Sequence, residues 1–532
     1  MFDFDSLSTL FSSVPPEHMA AVMAVFMEDR STEERTAVVE NLLRACGDTW
    51  RQEIGEWIAD LLSVEKLVPE AYANWRPLIH RSMAFVASHI SDERLAPKIV
   101  QQIELPPDTT EEIRLGLVIS KTPGLQKLGQ VLARTRRLSP SLRQELQKLE
   151  NSISDVTPEE VHEIVVRQLT PCIDAYQVQL APQLLCEASV SAILEFTWFN
   201  PSIGKREAGV FKVIKPHVPE CYAEDLKLLR DLAEHLAAGG REYEFASREV
   251  ADTLDEVCLL LAREVDFRKE QATLAEVGRV YRHKGAHAPK PIPELCSDTI
   301  TAMSFERGVK VTDACRARPL FRRHIASQIV AALIADPMFS VEDDAVFHAD
   351  PHAGNMLYDA ARNELIVLDW ALTTRLSREQ RRQLAFLMIK MTFRDVAGVR
   401  SAIYALASEA NGGEQSHTQI IDRCVKAYFE ALPFACSLGA LDAMRLLEQI
   451  GIEGVRFPGS LVLIRKSMFT LDGVLRDVVG DDVRIDTIVA GEFMARWFKK
   501  AGSLPPPFSL ADYFAVQRSA LFYASGLWSL SA

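Results

Sequence analysis

Residues 347–355 read Phe-His-Ala-Asp-Pro-His-Ala-Gly-Asn, and residues 368–370 read Leu-Asp-Trp. Asp350, the amide Asn355 and the second acid Asp369 have the spacing of a phosphoryl-transfer site, in which a protein mainly positions groups and neutralises charge. Asp350 would orient an attacking hydroxyl or water, while Asn355 and Asp369 supply the oxygen ligands that suit Mg²⁺ on ATP phosphates. The alternative is an Asp-Pro turn and a strand-end Asp that only cap backbone groups.

The sequence next to these residues predicts how they are displayed. Residues 365–368 form a short apolar run, typical of a buried strand that carries Asp369 into a cleft. Asp350 lies beside Pro351 and Gly354, in the kind of loop where functional side chains are usually presented.

Composition narrows the class of protein. The chain has 532 residues, enough for several domains, with 48% hydrophobic and 25% charged content that is ordinary for a globular protein. Its formal net charge of −14 argues against nucleic-acid binding, which needs basic surface. The nine cysteines are scattered and form no C-x-x-C pair, so we expect neither a zinc site nor disulfides, and a cytoplasmic location.

Membrane signals are weak along the whole sequence. Residues 1–5 are acidic and lack the basic start of a signal peptide. The nearest approach to a membrane span is Ser519–Ala532, which is uncharged but too short to cross a bilayer. We interpret it as a packed terminal helix with at most peripheral membrane contact.

The first 105 residues have apolar positions at helical spacing with charges between them, which indicates amphipathic helices. The predicted helices span 17–27, 32–46, 49–62 and 71–89. They carry no chemical motif, so we interpret them as an accessory or partner-binding domain that ends at a linker over 105–108. Beyond it, Lys127 and Gln130 share one helix face, and taken alone they are typical of a solvated surface.

Residues 194–199 and 209–216 are β-rich runs around a turn at 200–204, which predicts a hairpin. Lys212 lies among apolar residues of the second run, where an ammonium group is costly unless an anion faces it. ATP and a helix carboxylate would be that anion in a kinase-type lobe. A lysine that points to water from an edge strand is the alternative.

A helix predicted over 259–274 carries Glu264, Asp266 and Glu270. Asp266 and Glu270 are like charges four residues apart, which is unfavourable on a helix unless cations neutralise them. Lys212 would answer Glu270, and Lys127 would answer Glu264 or Asp266. Pairing with basic residues of the same helix is the alternative.

The following segment predicts a connection between two lobes. Residues 299–305 form a strand, and a short polar link then enters a helix, so the backbone between them would offer hydrogen bonds to an adenine ring. A helix over 320–333 precedes the central motif. After Thr373 the chain is predicted to be helical to about 479, and Pro505-Pro506-Pro507 is a stiff linker.

The order of these motifs, over roughly residues 111–480, resembles the UbiB/AarF family of atypical kinase-like proteins. Residues 127–130 match its K-x-G-Q signature, 264–266 its E-x-D signature, and 348–355 its H-x-D-P-H-x-G-N loop. By this resemblance the remaining positions are the strand lysine Lys212, the helix glutamate Glu270, the metal-binding aspartate Asp369, the nucleotide loop with Ala188 and Ser189, the hinge over 301–310 and the C-lobe helix over 465–474.

The resemblance implies an α+β, two-lobed protein-kinase-like fold with an N-terminal helical extension and a helical C-lobe. The extension would carry the K-x-G-Q helices. The predicted domains are an accessory domain at 1–105, the extension at 106–183, the N-lobe at 184–310, the C-lobe at 311–480 and a helical tail at 481–532.

The resemblance also implies ATP and Mg²⁺ as ligands and a link to ubiquinone or other isoprenoid-lipid metabolism. Lys212 would hold the ATP phosphates with support from Glu270, Asp350 would orient the acceptor, and Asn355 and Asp369 would hold the metal. Lys127 and Gln130 would lie against Glu264 and Asp266, where a protein kinase binds its peptide. An ATPase or small-molecule kinase is therefore favoured over a protein kinase.

Two other interpretations stay open. A nucleotide-binding pseudoenzyme would recruit lipid-biosynthesis proteins, and an aminoglycoside- or choline-kinase-like enzyme would not need the K-x-G-Q segment.

The sequence also departs from the family pattern at several positions. Glu187 stands in the nucleotide loop, where a carboxylate would repel phosphates unless it points away. Ala371 replaces the glycine of the D-F-G position and its backbone freedom, and the family's C-terminal membrane helices are not evident.

Overall fold

A computed structural model describes residues 14–27, 30–133, 156–238, 244–280, 285–411, 415–433, 436–480, 484–498 and 507–531. The chain divides into two compact units. Unit 1 comprises residues 1–267 and 292–303, and unit 2 comprises residues 268–291 and 304–532. The mixture of helices and small sheets confirms the predicted α+β class.

Unit 1 begins with helices that share one hydrophobic core. Its helices are α1 (Pro16–Met27), α2 (Thr32–Leu61), α3 (Arg76–His89), α4 (Asp92–Glu104), α5 (Glu111–Ile119), α6 (Pro123–Ala133), α7 (Pro158–Ala175), α8 (His217–Ala238) and α9 (Glu244–Glu264), while α10 (Phe267–Val280) begins at its boundary. Trp50 and Ile99 belong to the same buried cluster as Leu125 and Leu229, so this core continues across the link at 105–108. The predicted domain boundaries stay predictions.

Local signals explain where several of these helices begin and end. Ser31 and Glu34 form a capping box that starts α2, at the residue where the predicted helix over 32–46 begins. Gly47 has φ 67°, a left-handed conformation that interrupts α2 between the two helices expected there. Thr157 and Glu160 form a second capping box, which starts α7.

The sheet of unit 1 has the strand order β1-β2-β3-β5. Its strands are β1 (Gln179–Glu187), β2 (Ser191–Asn200), β3 (Lys205–Ile214) and β5 (Ile300–Ser304). β2 and β3 form the predicted antiparallel hairpin, whose register pairs Ile193 with Lys212. β1 pairs with β2 but was not predicted.

Unit 2 contains two small sheets. Their strands are β4 (Ala286–His287), β6 (Val309–Lys310), β7 (Asp344–His348), β8 (Met356–Asp359), β9 (Glu364–Val367) and β10 (Thr373–Ser377). One sheet has the order β4-β9-β8-β6, and the other pairs β10 with β7. The buried strand predicted before Asp369 is confirmed as β9, whereas β10 was not predicted.

Helices make up the rest of unit 2. They are α11 (Val311–Ala317), α12 (Arg322–Val330) continued by a π-helical turn (Ala331–Ala335), α13 (Arg378–Thr392), α14 (Val396–Asn411), α15 (Gln415–Glu430), α16 (Ala440–Ile452), α17 (Gly459–Val479), α18 (Ile485–Phe498) and α19 (Leu510–Ser531). Ser519 of α19 is buried and accepts a hydrogen bond from Lys390 of α13 at 2.6 Å, so this part of the predicted terminal helix is packed.

Two further expectations concern the membrane and the linkers. Among the described residues, no helix combines the length and the apolar character needed to cross a membrane. Most of the predicted proline linker, residues 504–506, lies outside the described residues.

Candidate active site

The loop that carries Asp350 is built on β7. β10 pairs antiparallel with β7, and the register joins His348 to Thr373. Ala349 donates its N–H to the carbonyl of Leu372 at 3.0 Å, which continues this pairing beyond the strand. The chain then turns into a 3-10 helix (Ala353–Asn355), and His352 caps this helix by accepting the N–H of Gly354 at 3.1 Å.

His348 joins the two acidic segments of the motif. Its Nδ1 accepts the N–H of Asp350 at 3.2 Å, so its Nε2 carries the proton and donates to the carbonyl of Asp369 at 2.9 Å. Burial lowers the pKa of His348, and the carboxylates of Asp350 and Asp369 oppose this shift only in part. A neutral imidazole is therefore the bridge between the two aspartates.

Asn355 ties the same two segments together. Its Nδ2 donates to the carbonyl of Asp350 at 3.3 Å, and its own carbonyl accepts the N–H of Leu368 at 2.8 Å. Because the amide nitrogen is used within the loop, the side-chain oxygen of Asn355 is the atom left to act as a ligand.

The segment after β9 presents Asp369 outward. Asp369 has φ 42° and an exposed side chain, and its Oδ1 accepts the N–H of Ala371 at 3.1 Å. Trp370 is buried against His348, with ring centroids 5.0 Å apart, and donates Nε1 to the carbonyl of Val367 at 2.9 Å. The left-handed residue is Asp369, and Ala371 has no positive φ. The missing glycine therefore imposes no backbone strain at that position.

A buried arginine that the sequence pattern did not reveal supports the segment that leads into β7. Arg381 of α13 is fully buried and donates to five backbone carbonyls between residues 337 and 343, including that of Ser340 at 2.8 Å. These carbonyls lie at the C-terminal end of a helix and in the link to β7. A cation is favourable there because the helix dipole is negative at that end. No spacing signal in the sequence marks this arginine.

The donor set fits a magnesium ion that is shared with phosphate. Among the described residues, no cluster of three or more His, Cys, Asp or Glu side chains is placed to hold a metal. Asp369 and Asn355 offer two oxygen donors, and Mg²⁺ commonly takes one or two protein ligands with phosphate oxygens and water as the others. The residues are therefore suited to Mg²⁺ bound with a nucleotide.

Lys212 lies in the apolar part of β3. Its side chain is buried, with 6% exposure, and Nζ is 5.5 Å from the ring centroid of Phe267. Lys212 therefore does not point to water. Glu270 is also buried, but Lys212 belongs to unit 1 and Glu270 to unit 2, so their pairing stays a prediction.

A second buried lysine pairs with Glu187, the acid that stands in the predicted nucleotide loop. Lys215 is fully buried and its Nζ lies 3.0 Å from Oε2 of Glu187, which is itself nearly buried. The carboxylate at the end of β1 is therefore paired. Beyond it, Ala188 donates its N–H to the carbonyl of Ser191 at 2.8 Å, which closes a tight turn.

The K-x-G-Q and E-x-D segments meet inside unit 1. Lys127 forms an ion pair with Glu264, and Ser189 donates Oγ to the other oxygen of Glu264 at 3.3 Å. Lys127 and Gln130 are both buried, so their interpretation as solvated surface residues is wrong.

Asp266 has a different position from the one expected. The structure ends α9 at Glu264 and begins α10 at Phe267, so the single helix predicted over 259–274 is wrong. Asp266 is exposed in this break and does not share a helix face with Glu270. The apolar periodicity continues across the break, which is why the sequence pattern did not reveal it.

Comparisons with known proteins give one consistent family. Residues 148–403 match the ABC1 atypical kinase-like domain. The Arabidopsis thaliana protein ACTIVITY OF BC1 COMPLEX KINASE 7, chloroplastic, is 23% identical over 67% of this chain and 50% of its own length. The Actinobacillus pleuropneumoniae "probable protein kinase UbiB" is 23% identical over 69% of this chain and 68% of its own.

The matches cover only part of each protein. The chain spans about half the length of the Arabidopsis relative. A Mycobacterium tuberculosis protein solved with erythromycin aligns with a TM-score of 0.43 and 14% identity, over 63% of this chain and 82% of its own. The domain match, with the mixed helix and strand architecture, confirms the predicted kinase-like α+β fold.

Proposed function

Because this chain belongs to the UbiB/AarF family of ABC1 atypical kinase-like proteins, we propose that it binds Mg·ATP and transfers or hydrolyses the γ-phosphoryl group. The observation that carries this proposal is the link that His348 makes between the backbone of Asp350 and that of Asp369. It holds an acceptor-orienting acid and a metal-binding acid in one rigid arrangement, as phosphoryl transfer requires.

Each residue has a role that follows from its surroundings. Asp350 orients the acceptor hydroxyl or water, and the oxygens of Asn355 and Asp369 bind the metal. Lys212 holds phosphate oxygens with its ammonium group, the role that the family resemblance gives to the strand lysine. Bound Mg²⁺ supplies charge neutralisation on the phosphates. The backbone of Ala188 and the hydroxyl of Ser189 line the nucleotide site at the turn after β1.

We propose that the acceptor is water or a small molecule linked to ubiquinone or other isoprenoid-lipid metabolism. Protein phosphorylation is disfavoured because the K-x-G-Q segment packs against Glu264 through Lys127. By the family resemblance, this segment lies where a protein kinase binds its peptide. The proposed partners are isoprenoid lipids or lipid-biosynthesis proteins. The proposed location is the cytoplasm, with at most peripheral contact with a membrane.

Magnesium-dependent ATP hydrolysis by the purified protein tests this function. Asp369→Asn should lower hydrolysis to the level measured with excess chelator, because the metal loses its carboxylate. Asp350→Asn should lower kcat roughly 10²- to 10⁴-fold, the usual contribution of a positioned base. Asp343→Asn serves as the control, since this carboxylate is 93% exposed near the same strand and should leave the rate unchanged.

The outcomes separate the candidate functions. Hydrolysis that persists in Asp350→Asn contradicts the catalytic role. No hydrolysis, together with a rise in Tm when Mg·ATP is added, supports a nucleotide-binding scaffold that recruits lipid-biosynthesis proteins. Neither hydrolysis nor a rise in Tm contradicts both.

A further inference from the structure

A chain of polar contacts crosses unit 1 from the accessory helix α4 to the turn after β1. Its charged members lie far apart in sequence, on α4, α8, α6 and α9. Each of its four contacts involves at least one charged side chain, and the chain ends at Ser189, which the proposed function places beside the nucleotide. A path of this kind gives the accessory helices a physical connection to that turn.

The first contact is a buried ion pair. Asp225 of α8 is 1% exposed, and its Oδ1 accepts Nη2 of Arg94 at 2.6 Å. The neighbouring Glu224 lies 2.8 Å from Nη1 of Arg94 and also accepts the N–H of Ser91 at 2.8 Å. Burial raises the pKa of Asp225, and only Arg94 and one backbone N–H favour its charged form against this cost.

That backbone N–H belongs to the start of the K-x-G-Q helix. Gly124 donates to Oδ2 of Asp225 at 2.7 Å, so the carboxylate satisfies an N–H in the first turn of α6. Space is tight, because a Cβ at position 124 would lie 3.0 Å from Cβ of Asp225 and 3.3 Å from Cδ1 of Leu229. Asp225 thus fixes both the position and the rotation of this helix end.

The remaining contacts begin one turn along α6. Lys127, three residues after Gly124, pairs with Glu264, and Glu264 accepts the hydroxyl of Ser189 at 3.3 Å. Lys127 therefore neutralises a carboxylate that would otherwise stand uncompensated next to the turn at 188–190. Movement at the start of α6 would displace Lys127 and expose the charge of Glu264 to any phosphate bound there.

We propose that Arg94 and Asp225 are positioning residues for the nucleotide turn, and that the accessory helices set nucleotide affinity through α6, Lys127 and Glu264. The effect on affinity rests on the proposed nucleotide binding, whereas the mechanical link does not. Any displacement of α4 should therefore weaken the hydrogen bond between Ser189 and Glu264.

Two variants disturb the start of the path in different ways. Arg94→Gln removes the cation. Gly124→Ala keeps every charge and has the higher intrinsic helix propensity, but its Cβ would lie 3.0 Å from Cβ of Asp225, so α6 or Asp225 must shift by a few tenths of an ångström. The matched controls are Arg35→Gln, which breaks the Arg35–Glu104 pair elsewhere in the accessory helices, and Gly116→Ala, where an added Cβ meets nothing within 4 Å.

Hydrogen exchange without nucleotide tests the mechanical link. We expect faster exchange at residues 123–133 and at 188–191 in Arg94→Gln and Gly124→Ala, and wild-type exchange at both segments in the two controls. Faster exchange in α6 with no change at 188–191 in Gly124→Ala overturns the proposal, whatever the outcome of the ATP measurements.

Mg·ATP titration tests the consequence. Both variants should raise the Kd for Mg·ATP at least about fivefold, which is the lower end of the coupling between linked sites. The kcat at saturating ATP should stay near the wild-type value. A general loss of folding would lower kcat as well. An unchanged Kd in Gly124→Ala overturns control of affinity, and no binding by the wild-type protein instead overturns the proposed function.

Discussion

Two buried polar networks of this protein are built from different kinds of groups. In unit 2, the loop of Asp350 is held by a neutral imidazole and backbone groups around His348. In unit 1, the K-x-G-Q helix is held by full charges, with Arg94, Asp225 and Lys127 among them. Neutral hydrogen bonds tolerate burial at modest cost, whereas a buried charge depends entirely on its partner. The unit 1 network is therefore the easier one to disrupt.

The two networks also differ in sequence range. His348, Asp350, Asn355 and Asp369 lie within 21 residues of one another, with Ser467 added by a hydrogen bond to the carbonyl of His348. The ion pair between Arg94 and Asp225 spans 131 residues. Local motifs of the first kind can be recognised in a sequence, while the second kind forms only when distant helices pack.

The largest effect on stability should come from the charged network. Arg94→Met should lower the free energy of unfolding by about 3–5 kcal/mol, because it leaves Asp225 and Glu224 without their buried cation. Urea denaturation followed by circular dichroism measures this change. The control, Arg35→Met, should cost about 1 kcal/mol or less, because its partner Glu104 is 26% exposed whereas Asp225 is 1% exposed. Equal losses in the two variants would remove the contrast between the networks.

A smaller loss of stability is expected in the neutral network. His348→Gln should cost about 1–3 kcal/mol, because either the N–H of Asp350 or the carbonyl of Asp369 is left without its buried partner. Ser467→Ala removes a single donor to the His348 carbonyl and should cost about 1 kcal/mol. Chemical denaturation with ATP hydrolysis measured in parallel checks this. A His348→Gln protein with wild-type kcat would show that the bridge does not position the site.

A third network shows how charge behaves within unit 2. His287 of β4 lies 2.9 Å from Glu306 and 3.2 Å from Glu364. The hydrogen bond to Glu306 raises the pKa of His287, with both carboxylates adding to the effect while burial and Arg362 oppose it. A raised folded-state pKa means that the charged imidazole stabilises the fold.

This stabilisation should depend on pH. It is fully present below the unfolded value of about 6.5 and is lost as the pH rises through the higher folded-state value. The difference in unfolding free energy between wild type and His287→Gln should therefore be larger at about pH 6 than at about pH 8.5. Denaturant titrations at both pH values measure it, and a difference that grows with pH would contradict the charged pairing.

The smallest effect on stability is expected at Ala371, which stands in place of the glycine of the D-F-G position. Ala371→Gly should change the free energy of unfolding by no more than about 1 kcal/mol, because the left-handed residue is Asp369 and position 371 has no positive φ. Thermal denaturation and ATP hydrolysis check this prediction. A large gain in activity would show instead that the alanine restrains the segment that carries Asp369.

Sequence patterns predicted the elements whose signals are local. The hairpin with Lys212 and the strand before Asp369 follow from residue type and short-range periodicity. The patterns did not predict β1, β10 or the break between α9 and α10. β1 contains a proline and has no apolar alternation, β10 is short and polar, and the break leaves the helical periodicity intact.

The sequence by itself was enough to recognise the kinase-like motifs of this protein. The types and spacing of Asp350, Asn355 and Asp369, with the K-x-G-Q and E-x-D signatures, identify the family because these residues lie close together in short motifs. Only the tertiary structure decided which charges meet. Lys127 pairs with Glu264, one of the two acids expected for it, while Glu187 pairs with Lys215 and Arg94 with Asp225. Such pairs depend on the packing of helices and strands that are remote in the chain, which residue spacing does not encode.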